Sequence, residues 1–113
     1  MEKFLECCEE IVQVRIDKEV VHLITERGGS VSVEGEMKIE SKNNTYTITP
    51  YEKNRDINIL QYLLGRTIIS IVYTSKIAIL FLDDSWKISL YQPDGRLGES
   101  ALINIDDEFI AIL

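Results

Sequence analysis

At 113 residues and 13.0 kDa the chain has the size of one domain, and 45% hydrophobic with 27% charged residues is enough to bury a single core. Nineteen Asp and Glu against twelve Lys and Arg leave a net charge of -7, which repels phosphate backbones and anionic membrane surfaces and speaks against nucleic-acid or membrane binding. The two cysteines are neighbours, Cys7 and Cys8, so no disulfide framework joins distant segments and a reducing compartment is expected.

Met1 to Glu6 is acidic where an export signal needs cations and then an apolar run. No uncharged stretch is longer than the one between Arg66 and Lys76, nine residues, against the roughly 20 of a spanning helix. A soluble, cytoplasmic protein is the expectation. Glu2 to Cys8 reads as a short helix, followed by a half-buried strand with Val12, Val14 and Ile16 on one face and Gln13, Arg15 and Asp17 on the other. A turn at Asp17, Lys18 and Glu19 leads into Val20 to Thr25, and Gly28 and Gly29 reverse the chain into Val31 to Glu34. Met37 to Ser41 and Thr45 to Thr49 flank Asn43 and Asn44, Pro50 closes the unit, and Tyr51 to Asp56 is a polar connector. Asp56 can cap a second helix, Ile57 to Leu64, ended by Gly65. Strands then follow at Thr67 to Thr74, Lys76 to Leu82 and Trp86 to Tyr91, with a turn at Pro93, Asp94 and Gly95 and a final strand, Phe109 to Leu113, packed in. The six apolar residues Ile77 to Leu82 have the composition of a strand covered on both faces.

Sliding the chain along itself by 57 residues sets all ten apolar residues between 11 and 34 on apolar partners between 68 and 91. The expected fold is therefore α+β, mostly β, in one domain over residues 1–113. It consists of antiparallel sheets from two pseudo-symmetric repeats, residues 1–56 and 57–113, each a short helix followed by a β-meander and both sharing one core. Five positions that are polar or glycine in the first unit become apolar in the second: Arg15 to Val72, His22 to Ile79, Thr25 to Leu82, Gly29 to Trp86 and Glu34 to Tyr91. Val72 and Tyr91 share strand parity with polar neighbours, so they mark a contact surface on a face that is solvated in the first unit.

His22, the one histidine, sits in an apolar strand without a companion ligand and reads as a locally hydrogen-bonded edge residue. Adjacent thiols on a helix point about 100° apart, which suits a shared metal poorly. Asp83 with Asp84, and Asp106, Asp107 and Glu108, lack calcium-loop spacing and read as solvated turns. No catalytic residue, metal or cofactor is expected.

The stretch Leu64-Gly65-Arg66-Thr67-Ile68-Ile69, continuing through Leu80-Phe81-Leu82-Asp83-Asp84 to Lys87-Ile88-Ser89-Leu90, resembles small bacterial immunity proteins of polymorphic and contact-dependent toxin systems. Ser85 and Trp86 stand where that pattern has a glycine. The resemblance implies a stoichiometric inhibitor of a basic toxin domain and no catalytic residue. An acidic surface would suit such a partner: Glu6, Glu9 and Glu10 on the first helix, Asp83 and Asp84 at a hairpin tip, and Asp106, Asp107 and Glu108 near the end, with Trp86 and Tyr91 as anchors and Val72 beside them. Reversing Asp83 and Asp84 to Lys should then slow association and leave the fold intact. Two alternatives stand beside this one. The first is a small-molecule module with a pocket between the halves offering Tyr46, Tyr62 and Tyr73; the second is a homodimeric adaptor that pairs through the apolar second sheet.

Overall fold

The computed structural model describes residues 1–52 and 57–113. Ten strands follow in chain order: β1 (Lys3–Ile16), β2 (Val21–Thr25), β3 (Ser30–Val33), β4 (Glu36–Glu40), β5 (Thr45–Ile48), β6 (Thr67–Tyr73), β7 (Ile77–Leu82), β8 (Lys87–Tyr91), β9 (Ala101–Ile105) and β10 (Glu108–Ile112). They form one antiparallel sheet in the order β10-β9-β3-β2-β1-β6-β7-β8-β4-β5. The sheet folds over on itself, so that Ile11, Leu23, Val31 and Ile103 share a single core with Ile71, Leu80, Ile88 and Met37. Two devices turn the corner. The long strand β1 pairs with β6 through Lys3 to Glu10 and with β2 through Ile11 to Ile16. Glu34 and Gly35 carry the chain from β3, which pairs with β2 and β9, to β4, which pairs with β5 and β8.

This arrangement corrects the expected α+β class of two helix-plus-meander repeats: the fold is nearly all β in one sheet, and no α-helix is present among the described residues. Glu2 to Cys8 is not a helix, because Leu5, Cys7, Glu9 and Ile11 point inward at a period of two and continue straight into the strand. The inward glutamate hides that alternation in a hydropathy reading. Ile57 to Leu64 contains only a 3-10 segment, Asn58–Leu63, lying on the core through Ile59, Leu60 and Leu63; six residues are too few for a stable α-helix without more packing. The proposed cap, Asp56, and the end of the polar connector fall outside the described residues.

The register at an offset of 57 coincides over three strands only. Ile11↔Thr25, Gln13↔Ile24 and Val14↔Leu23 in the first meander correspond to Ile68↔Leu82, Ser70↔Phe81 and Ile71↔Leu80 in the second, including the bulge between the first two pairs. Leu23↔Val31 likewise corresponds to Leu80↔Ile88. Beyond these strands the halves differ, since β4 would fall on the turn after Pro93. The bulge explains why Val12 and Gln13 are both exposed between the inward Ile11 and Val14, so that Val12 does not share the inner face with Val14, as one extra residue reverses the side-chain parity.

β7 lies between β6 and β8 but is covered on one face only: Ala78, Leu80 and Leu82 are buried, Ile77 and Phe81 exposed. The continuous apolar run thus supplies an inner core row and an outer apolar patch. The last strand, β10, is a sheet edge with Ile110 and Ile112 inward and Phe109 outward.

Candidate interaction surface

Sheet register brings the outward residues of β1 and β6 to β4 together. Phe4, Val72, Ile79, Ser89 and Lys38 form one cross-strand row, and Glu6, Ser70, Phe81, Lys87 and Glu40 form the next. Phe4 is 63% exposed. Tyr91 lies on the same face between Ile77 and Glu36 and donates its phenol hydrogen to Glu36 Oε1 at 2.7 Å. Val72 and Tyr91 therefore occur within one patch of Phe4, Ile77, Ile79 and Phe81, which no other strand covers. The equivalent row of the first meander is Arg15, His22 and Ser32, which is polar.

Outward parity on β1 continues from Phe4 through Glu6 and Cys8 to Glu10. There β1 meets the β2–β3 turn: Glu26 N–H donates to Glu10 O at 3.0 Å, and Glu26 Oε1 accepts the Glu10 N–H at 3.4 Å. Beside it, Arg27 Nη1 stands 3.8 Å from Asp106 Oδ1, and a hollow of about 300 Å³ is lined by Glu9, Arg27, Gly28, Gly29, Asn104, Asp106 and Asp107. Glu10, Glu26, Asp106, Asp107 and Glu108 are all exposed here, with Arg27 among them. We refer to this end as the acidic pole.

Three of the expected partner residues make contacts within the fold. Glu9 is 1% exposed and accepts a hydrogen bond from the Thr25 hydroxyl, so its carboxylate joins β1 to β2. Asp83 Oδ1 accepts the Thr67 N–H at 3.1 Å, tying the β7–β8 connection to the start of β6. Asp84 Oδ2 receives Arg66 Nη1 at 3.3 Å, and the same guanidinium lies 4.4 Å above the Trp86 ring. Because Asp84 and Ser85 also hold positive φ, 58° and 63°, reversing both acids to Lys would disturb this connection, contrary to the expectation of an intact fold.

Cys7 is buried and donates to Ile68 O at 3.5 Å, whereas Cys8 is exposed. Burial, with help from Asp106 and Glu9, pushes the Cys7 thiol up to about 11, and burial with the Glu36 contact pushes Tyr91 to about 12. Both groups are neutral in the folded chain at pH values where the unfolded chain would ionise them. Their contribution to stability is complete below about pH 9 and is lost as pH rises through about 9 to 12. Urea titrations from pH 7 to 11 should show a steady fall above pH 9, with iodoacetamide at pH 8 modifying Cys8 and sparing Cys7; a flat profile would contradict the burial of both groups.

His22 is hydrogen-bonded locally as expected, through partners the sequence did not name, in a chain that crosses the outer face of β2 and β3. His22 Nε2 lies 3.0 Å from Asp17 Oδ2, and Nδ1 lies 2.8 Å from Ser32 Oγ. The carboxylate only accepts, so Nε2 carries a hydrogen toward Asp17 while Nδ1 meets the serine hydroxyl, which can donate or accept. Ser32 neighbours His22 only through the β2–β3 register. Ser32 lies on an interior strand, whose backbone N–H groups run in the sheet plane toward β2 and β9. They do not rise above the face where an oxyanion would form. The chain of bonds pins the β1–β2 turn to β3.

The three tyrosines of the pocket alternative lie on separate elements: Tyr46 on β5, Tyr62 in the 3-10 segment and Tyr73 at the end of β6. Among the described residues no group of three or more His, Cys, Asp or Glu is placed to hold a metal, and no helix is long and apolar enough to cross a membrane. Comparison with protein-family models, curated proteins and solved structures gave no match.

Proposed function

We propose that the protein acts as a stoichiometric binder of a basic protein domain, in the manner of an immunity protein that neutralises a toxin, and performs no chemistry of its own. The observation that carries this reading is the continuity of the outer surface along β1: an apolar patch around Phe4, Val72 and Ile79 runs through Glu6 and Glu10 into the acidic pole. Apolar anchors flanked by carboxylates are the composition of an interface with electrostatic steering. Trp86, half-buried against the core beneath the Arg66 guanidinium, and Tyr91 on the patch supply aromatic anchors.

The test uses the product of the adjacent reading frame, since a dedicated inhibitor is commonly produced with its target, and a neighbour without a basic domain counts against the reading. A 1:1 complex by calorimetry, an association rate that falls with salt, and a drop in that rate of roughly tenfold at low salt for Glu10→Lys/Glu26→Lys are expected. Both side chains are exposed and the one bond lost is the long, solvent-exposed Glu10 N–H to Glu26 Oε1 contact at 3.4 Å, so circular dichroism and Tm should stay near those of the parent. Absence of a complex, or an unchanged association rate in the double variant, overturns the reading. A dimer of the free protein by light scattering would instead favour the homodimeric adaptor, with the apolar patch as its interface.

A further inference from the structure

The free edge of β10 offers a second, more specific feature. Among the described strands β10 pairs with β9 alone. Its hairpin turns through two residues, Asp106 and Asp107, both with positive φ, 53° and 63°, so Ile105 and Glu108 form the hydrogen-bonded closing pair. Alternation along an antiparallel ladder then directs the N–H and C=O groups of Phe109 and Ala111 away from β9, toward the open side. Leu113, of the same parity, bears this out: its N–H leaves the sheet and donates to Ser75 O at 2.7 Å.

Natural edges are usually guarded by lysine, proline or a bulge. β10 has none of these, reading Glu-Phe-Ile-Ala-Ile with unbroken register from Glu108↔Ile105 to Ile112↔Ala101. The edge also faces a slot of about 460 Å³, whose near wall is Glu108 to Ala111 and whose far wall is Met1, Lys3 and Tyr73 to Ser75. A slot with two walls admits one strand. A second copy of this chain fits poorly, because its β10 would arrive with β9 attached and with its own far wall in the way. Asp106, Asp107 and Glu108 stand at the mouth, and the Leu113 to Ser75 bond closes the other end.

We propose that this slot receives one extended segment of the partner, added to β10 as an eleventh strand, with a lysine or arginine of that segment beside Glu108. The segment gains hydrogen bonds from Phe109 and Ala111 and packs apolar side chains along Phe109, while the basic residue matches the acidic mouth. This deepens the proposed function and rests on it for the basic character of the partner.

Ala111→Pro isolates the edge, because it deletes an N–H that points to the open side and leaves the ladder to β9 complete. With the neighbouring basic domain, this variant should bind at least tenfold more weakly through faster dissociation, with Tm close to the parent. In the parent complex the amide hydrogens of Phe109 and Ala111 should become protected from exchange. A complex of parental affinity in Ala111→Pro, with those two amides exchanging as in the free protein, overturns the strand addition and leaves the binder reading standing. If no complex forms with that domain, the binder reading fails separately. The slot is then probed with a synthetic hexapeptide, Lys-Val-Thr-Val-Thr-Val, by anisotropy: binding that Ala111→Pro weakens supports the site, and no binding at millimolar concentration overturns it.

Discussion

Gly35→Ala is expected to destabilise the protein by about 3 kcal/mol, the upper part of the overpacking range. A Cβ on Gly35 would fall 2.6 Å from Ser100 Cβ and 2.7 Å from Tyr91 O. Neither neighbour can give way cheaply. The Ser100 carbonyl accepts the N–H groups of both Glu34 and Gly35 at 2.8 Å, and its own N–H donates to Ile112 O at 2.7 Å, so any shift loosens the corner between β3 and β4 together with the end of β10. Gly95→Ala is the control: φ is 84° there and nothing lies within 4 Å of the added atom, so only the left-handed conformation opposes it, at about 1 kcal/mol. Guanidinium titrations of the two variants should separate them by roughly 2 kcal/mol, and equal midpoints would contradict the corner described here.

The second large effect concerns the core. Leu23 and Leu80 occupy matching positions in the two meanders, Leu23 between Val14 and Val31 and Leu80 between Ile71 and Ile88, and both are fully buried. Truncation of either to alanine should cost about 3 kcal/mol, the lost transfer energy plus the cavity left behind. Both belong to one cluster, so each variant should unfold in one cooperative transition at a lower denaturant concentration, whichever half carries the substitution. Two separated transitions in either variant would mean that the halves are independent, against the shared core.

The parts legible in the sequence were those in which a period of two runs uninterrupted. β2, β3, β7 and β8 carry inward apolar residues at alternate positions, β6 does so once its bulge after Ile68 is passed, and the turns are marked by Gly28 and Gly29, by Ser75 and by Asp83 to Ser85. Their boundaries lie within a residue or two of the expected ones. The first half of β1 was not legible, because Glu9 occupies an inward position and seven residues cannot distinguish a period of 2 from one of 3.6. The outer patch was half legible: the parity of Val72 and Tyr91 marks them, whereas Phe4 joins only through the pairing of β1 with β6. The duties of Glu9, Asp83 and Asp84 had no local signal at all, since their partners Thr25, Thr67 and Arg66 lie 16 to 18 residues away in the chain.

Composition and alternation alone marked the chain as acidic and strand-rich, because burial of apolar side chains acts residue by residue and leaves its period in the chain. Which strands adjoin, where β1 and Gly35 bend the sheet, which carboxylates are occupied internally and which edge stays open were decided by the fold. Those outcomes depend on register between distant segments, and a shift of a single residue in register exchanges the buried and exposed faces of a strand.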